Sequence, residues 1–433
     1  MNIITGNEFD AYWKSRTADA GGDEDALDRV RRIIADVRLR RDEAVRAFTA
    51  QFDKSAPERF EVPREAADAA YRRLQTTDPA LTDALNIARD HINQFALEQR
   101  KQFFDFEYEV SPGVVAGQRV IPVQKAAIYV PAGRFPLISS VLMGVIPVRA
   151  AGVEEVFVAS PPVRDGLPDW RILAAVRIAD ENTRVFAIGG AQAVAALALG
   201  TETVPRVDVI AGPGNKYVAA AKRLLFGETG IDFIAGPTDV LIIADERAHP
   251  DTVAADMLAQ AEHDPDARAR VLTSSEASAA RIARAVEERL AALPTAETAR
   301  ASLEAGGLVI IYADEDEAVR IANAIAPEHL ELQCCDETND RLLPRLKNYG
   351  ALFIGEKAAE VLGDYSAGTN HTLPTSGSAR FSGGLSVRHF LKTVTTLRCS
   401  EGAGYAPVVK AAEIIARAEG LIGHSESAKL RLG

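Results

Sequence analysis

The feature that most constrains this chain begins after Pro112. Short apolar runs there alternate with small-residue turns and helical stretches. The first series of runs is Ala126–Val130, Val156–Ala159, Val185–Ile188 and Val207–Ile210. The second is Val240–Ala244, Val271–Thr273, Leu308–Tyr312 and Ala351–Ile354. Helical spacing fills the gaps, as over Ser139–Ala151 and Arg171–Ile178. Such alternation predicts parallel sheets built from βαβ units. Two α/β modules follow, with a boundary near Gly236-Pro237. The first hundred residues read as helices instead, with Leu27, Val30, Ile33, Ile34 and Val37 at helical spacing and a second stretch over Asp83–Lys101. The tail from about Gly383 reads as a Gly-rich turn, a short helix and a last helix through Ile415.

A chain of 433 residues with 47% hydrophobic and 25% charged residues has globular composition. Its net charge of −12 argues against a nucleic-acid partner, because phosphate binding wants a basic face. The N-terminus lacks an apolar core of signal-peptide length. No apolar run reaches the roughly 18 residues of a membrane span. Of the three cysteines, Cys334 and Cys335 are adjacent and cannot staple a framework. These features together predict a soluble cytoplasmic protein.

Three polar groupings can carry chemistry. Gln260 and His263 end a helical stretch that starts near Pro250 and share one helix face, so an amide oxygen and an imidazole can reach one ion. Two donors do not define a site, and a histidine near the negative end of a helix is the structural alternative. Glu328 and His329 follow Pro327, which should end a helix and leave the pair on a turn. A carboxylate beside an imidazole suits acid–base work near neutral pH; a surface dipeptide is the alternative. The segment Gly363–Thr375 is polar and follows a strand, where parallel sheets collect ligands. It offers Asp364 as a metal carboxylate and His371 as ligand or loop anchor. Glu419 and His424 in the tail say little by themselves. The turns after Tyr129, at Gly189-Gly190-Ala191-Gln192 and at Gly212-Pro213-Gly214-Asn215, let a ligand approach backbone amides. None is a GxGxxG fingerprint, and no GxxxxGK[ST] occurs. A Cys334 or Cys335 nucleophile is disfavoured, since a thiol pair in an apolar run packs.

In chain order, IYVPAG, GGAQA, AGPGNKYVA, AGPTDVLIIAD, QAEHDPDA, APEHLEL, GDYSAGTNHTLPT and AEGLIGH resemble the histidinol dehydrogenase family, from about Asp25 to the C-terminus. The resemblance implies a zinc- and NAD-dependent enzyme that oxidises a primary alcohol to the acid in two hydride transfers. In the family the substrate is L-histidinol, oxidised through L-histidinal to L-histidine. It implies one zinc per subunit on Gln260, His263, Asp364 and His424, with His329 as base and Glu328 activating water. NAD would be touched by Tyr129, Gln192 and Asn215. Substrate would be held by Thr238, Gln260, His263, Glu328, His329, Asp364, His371, Glu419 and His424. An intertwined homodimer is implied, each tail completing the partner's site. The implied fold has two Rossmann-like parallel-sheet modules, an N-terminal helical region and a C-terminal helical tail. Its parts would be an arm over 1–24, a first domain over 25–128 plus 237–382, an NAD-binding domain over 129–236, and a dimerisation tail over 383–433.

The chain departs from the usual family turns at Ala132 and at Thr238-Asp239. Its AGPTD and TSG-AR-GGLSV features resemble a branch that oxidises 2,3-dihydroxypropane-1-sulfonate to sulfolactate with the same machinery. A sulfonate needs cationic or N–H donors, and Arg134, Arg380 and Lys392 are the candidates. A metal-stabilised binding protein without catalysis is a further alternative, which retention of Glu328 and His329 opposes.

Overall fold

The computed structural model describes residues 1–17, 24–53, 55, 57–132, 136–163, 165–234 and 236–432. A six-stranded sheet has the order Asn2–Thr5, Leu308–Ile311, Arg268–Thr273, Asp239–Ala244, His329–Gln333, Ala351–Ile354. A five-stranded sheet has the order Arg184–Ala187, Glu155–Ser160, Lys125–Tyr129, Val209–Ala211, Gly230–Ile231. Every pairing in both sheets is parallel. Val240, Leu241, Ile242, Ile243 and Ala244 are all fully buried. A strand covered on both faces reads as a continuous apolar run, which is why the inner runs were visible; the edge run Ala351–Ile354 is apolar but only partly buried.

Both sheets are doubly wound. In the five-stranded sheet the order reverses between Lys125–Tyr129 and Val209–Ala211. That opens a crevice at the carboxyl ends of those strands, the usual place for a ligand. In the six-stranded sheet it reverses between Asp239–Ala244 and His329–Gln333.

The N-terminal segments lie elsewhere than expected. Asn2–Thr5 is no free arm: it pairs with Leu308–Ile311 as the sheet's edge strand. The helices Glu24–Arg40 and Asp42–Phe52 pack on the helices Gly190–Leu199 and Lys216–Leu225 of the five-stranded sheet's module, with Leu27, Val30 and Val37 in one apolar core with Ala127, Phe157 and Phe186. Arg64–Thr77 and Pro79–Lys101 pack outside the helices Trp170–Ala179 and Ile138–Ala151 of the other face, with Leu74, Leu85 and Ile92 in that face's apolar core. These helices therefore belong with residues 129–236, against the expected grouping of 25–128 with 237–382. Their apolar stripes were legible, but a stripe does not say which sheet it covers.

A third, antiparallel sheet joins Phe106–Ser111, Val114–Pro122 and Leu391–Cys399. The tail is thus not wholly helical. Its strand, rich in exposed Thr and Lys, carries no apolar run to announce it. Beyond it the helices Tyr405–Ala418 and Ile422–Lys429 pack on each other.

Candidate active site

His329 opens a strand rather than lying on a turn. Pro327 does end the helix Glu315–Ile325, whose C-cap Ala326 turns left-handed at φ 51°. The chain then enters the sheet at once, beside Val240 and Ala351. Glu328 and His329 are therefore buried at the amino-terminal edge of the six-stranded sheet, and not at the carboxyl edge where parallel sheets usually hold ligands.

Thr238 Oγ1 donates to Glu328 Oε2 at 2.5 Å, and the Asp239 N–H donates to the same oxygen at 3.1 Å. Glu328 N–H in turn donates to Asp239 Oδ1 at 3.2 Å. Burial nonetheless pushes the Glu328 carboxyl up to about 7. The His329 ring stacks near Phe353, with centroids 6.1 Å apart. Its Nδ1 lies 3.9 Å from Glu328 Oε2 and 3.8 Å from Glu360 Oε1, and its Nε2 lies 3.5 Å from Asp364 Oδ1. Burial alone would lower the imidazole pKa, but Glu360, Glu328 and Asp364 together raise it well above the ordinary value.

Gln260 ends the helix Pro250–Ala261 and is fully buried. One amide orientation turns its oxygen to His263 Nδ1 at 3.2 Å and its nitrogen to Thr238 Oγ1 at 2.8 Å. The reverse lets the oxygen accept from Thr238 Oγ1 and the Asp239 N–H, both at 2.8 Å, while the nitrogen donates to Glu360 Oε1 at 2.8 Å. Hydrogen bonding favours the reverse orientation in the chain alone; a cation beside His263 would favour the first. His263 itself lies exposed at the mouth of the site. The groups around the inner part of its ring still desolvate it enough to lower its pKa, which favours the neutral, metal-binding imidazole.

Asp364 comes from the helix Glu360–Tyr365. His329 Nε2, Asp364 Oδ1 and Glu360 Oε2 are buried without a hydrogen-bond partner. Ligand atoms of these three residues lie within 4.8 Å of one another. Orphaned donors and acceptors so close together fit a cation. The Asp364 carboxyl is raised by burial but lowered on balance by His329, His371 and His263, so it is available as an anionic ligand. His371 Nδ1 is 2.9 Å from the Asp364 carbonyl and Nε2 is 3.3 Å from Ser140 Oγ. It ties the polar loop to the helix Ile138–Ala151 of the other sheet.

Thr238, Gln260, His263, Glu328, His329, Asp364 and His371 are thus brought together. Glu419 and His424 are not: both are exposed on the tail helices. Of the sulfonate candidates, Arg134 lies outside the described residues. Lys392 is exposed on the antiparallel sheet, and Arg380 lines a separate cavity. The Cys334 thiol donates to the Ile243 carbonyl at 3.3 Å, and burial pushes it up to about 12, which suits packing rather than attack.

Glu360 escaped sequence reasoning, although it stands four residues before Asp364 and so shares its helix face. Behind it lies a second acidic layer. Glu331 Oε1 accepts from the Glu360 N–H at 2.8 Å. Gln333 Nε2 donates to Asp256 Oδ2 at 2.6 Å and to Glu331 Oε2 at 2.8 Å. Burial, then Asp256, pushes Glu331 up to about 7 from an ordinary 4.5. An acid whose pKa is raised on folding stabilises the fold less as pH rises from the unfolded value through the folded one. Glu331→Gln, permanently neutral, should therefore gain melting temperature relative to the unsubstituted protein between about pH 5 and 8. Melting scans across that range check it; an offset independent of pH would refute it.

At the crevice of the five-stranded sheet, the buried Tyr129 hydroxyl accepts from the Gly190 N–H at 3.0 Å. Gln192 donates to Asp53 Oδ2 at 3.4 Å and leaves Oε1 buried without a partner. Burial lifts Asp53, another residue not foreseen, to about 6. Asn215 caps the helix Lys216–Leu225. The three residues expected to touch NAD thus stand at the carboxyl ends of this sheet's strands, Tyr129 and Asn215 beside the switch in strand order and Gln192 after the edge strand Arg184–Ala187.

A buried carboxylate–imidazole pair beside a cation-competent cluster, on a doubly wound scaffold, has the groups of an enzyme that does metal-assisted acid–base chemistry. The comparisons with known proteins narrow the class. The model of the histidinol dehydrogenase family matches residues 17–432. Histidinol dehydrogenase from Thermus thermophilus is 47% identical over 93% of each chain. That from Pseudomonas aeruginosa is 43% identical over 95% of this chain and 92% of its own. The crystal structure of histidinol dehydrogenase from Elizabethkingia anophelis superposes with a TM-score of 0.87 at 32% identity, over 94% of this chain and 92% of that one. The chain belongs to the histidinol dehydrogenase family. It is an NAD-dependent oxidoreductase that acts on an alcohol and then on the aldehyde.

Proposed function

We propose that the chain oxidises L-histidinol through L-histidinal to L-histidine, with two NAD reduced per substrate and one zinc per subunit. The observation that carries this reading is the buried Glu328–His329 pair set against Gln260, His263 and Asp364. Those three side chains, with His424 of a second subunit, would hold the zinc. When bound, zinc supplies Lewis acidity to the alcohol oxygen and NAD accepts hydride. His329 takes the alcohol proton on its imidazole. A cation near Asp364 would offset the carboxylates that now hold His329 protonated and free it to act as base. Glu328, lifted to about 7 by burial, is matched to taking a proton from water when the aldehyde is hydrated. Thr238, held to Glu328 and near Gln260, orients both groups. His371 fixes the loop that carries Asp364.

Support for a homodimer comes from what a lone chain leaves open. His263 and Tyr365 are exposed at the site's mouth. The tail meanwhile exposes Ile414, Ile415, Leu421, Ile422 and Leu430. An apolar surface of this kind marks an interface. We read it as the surface that carries Glu419 and His424 to a partner's site. Three free thiols suit the reducing cytoplasm, and no helix among the described residues is long and apolar enough to cross a membrane.

Histidinol is preferred over the sulfonated diol because neither Arg380 nor Lys392 joins the Glu328–His329 cluster. The deciding experiment counts NADH formed by the zinc-loaded protein with substrate limiting. Two NADH per L-histidinol, abolished by chelation, is expected. Silence with L-histidinol and two NADH from 2,3-dihydroxypropane-1-sulfonate would overturn the substrate and keep the chemistry.

A further inference from the structure

Pro237 and Asp239, the neighbours of Thr238 in the chain, line a cavity of about 750 Å³. Three guanidinium groups line it: Arg268 and Arg270 from the strand Arg268–Thr273, and Arg380 from the short helix Ser378–Arg380. Among the described residues the lining contains one carboxylate, Asp239. Arg270 is 5% exposed, pairs with Asp239 Oδ2 at 2.9 Å and stacks on Trp13. Arg380 donates to the Ala324 carbonyl; neither it nor Arg268 has a carboxylate partner among the described residues. The hydroxyl-bearing Ser376 and Ser378 complete that wall. Arg270 has Asp239 as its counter-ion, but Arg268 and Arg380 bring two further like charges to the same void, which an anion there would offset. Guanidinium forks match oxyanions geometrically.

The cavity is wired to the reaction centre. Asp239 accepts from Arg270 on one carboxylate oxygen and from the Glu328 N–H on the other. Its own N–H donates to Glu328 Oε2. An anion that recruits Arg270 competes with Asp239, and Asp239 holds Glu328 at two points.

We propose that this cavity is a second ligand site, taking a small oxyanion of carboxylate or phosphate type, and that its occupancy is sensed at Glu328. The sensing rests on Glu328 acting in the reaction proposed above; the binding does not. The test titrates the zinc-loaded enzyme calorimetrically with sulfate and, separately, with acetate, at ionic strength held constant by chloride. One saturable site per chain is expected, weakened about tenfold or more in Arg268→Gln/Arg380→Gln. Tighter binding of sulfate assigns the site to phosphate-type dianions, and tighter binding of acetate assigns it to carboxylates. A flat titration, or equal binding by the double variant (an adventitious ion only), would overturn the site. Turnover is then followed over the same sulfate range. A change in the unsubstituted enzyme that the double variant lacks is expected. Inhibition competitive with the alcohol and persisting in the double variant would place sulfate in the catalytic site and overturn the proposal. Binding without any change in turnover would overturn the sensing. Calorimetry needs no turnover, so a failure of the proposed reaction leaves the binding result readable.

Discussion

His329→Asn should slow NADH formation from L-histidinol by about 10³-fold, within the usual range for removing a positioned base, while zinc stays bound. The imidazole is buried, so no water can readily replace it as proton acceptor. Its Nδ1 sits 3.3 Å from the Asp239 carbonyl, a contact that fixes the ring and leaves Nε2 facing the cluster at Asp364. Asparagine keeps a polar group of smaller size at the strand's start but cannot accept a proton at neutral pH. It also leaves Glu328, Glu360 and Asp364 without their shared positive neighbour. Some loss of melting temperature should therefore accompany the loss of rate. Metal content by elemental analysis, together with turnover of the folded variant, separates the two effects. Turnover near that of the unsubstituted enzyme would remove His329 as base. A metal-free variant would instead make it a ligand, as its closeness to Glu360 and Asp364 allows.

How much of this was legible beforehand depended on the physical kind of signal. Strands buried on both faces announce themselves as apolar runs, so Asp239–Ala244 was found to within a residue; the edge strand Ala351–Ile354 was found because its residues are apolar although only partly buried. Asn2–Thr5 and Leu391–Cys399 are edge strands with exposed side chains. Their stability comes from backbone pairing that leaves no pattern in composition. His329–Gln333 was hidden because its Glu331 and Gln333 are buried polar groups satisfied by Glu360 and Asp256. Read from the sequence, EHLELQ looks half exposed. The site was legible for a different reason: residues three or four apart on a helical stretch lie side by side, and Gln260 with His263 keeps that closeness although the helix ends at Ala261. What spacing could not give is the meeting of Thr238, Gln260, Glu328 and Asp364 from four segments, nor the Arg270–Asp239 pair behind them. The tail marks the sharpest limit. Its histidine is exposed on the tail, and in the proposed homodimer a second chain would supply the site it completes.

That limit sets the second large effect. A His263→Asn subunit and a His424→Asn subunit should each form inactive homodimers, because every site then lacks one metal donor. Mixed after dissociation and allowed to reassociate, half of the dimers are heterodimers. In each heterodimer one site joins both defects and the other joins His263 of one subunit to His424 of its partner, both intact. About a quarter of the full activity should therefore return, by the counting that two-fold symmetry imposes. The geometry favours this outcome. His263 lies exposed at the mouth of the site, so a donor can approach it from outside the chain. The helix Ile422–Lys429 is held to its own chain mainly by Tyr405–Ala418, so it projects where a partner can receive it. Were His424 to reach the site of its own chain, each heterodimer site would carry one defect and no activity would return. Zero recovery with heterodimers verified by mass would thus reject the shared site, while leaving Gln260, His263 and Asp364 as donors. Recovery near a quarter, lost again on chelation, would show that the exposed histidine on the tail and the open cluster on the sheet are two halves of one site.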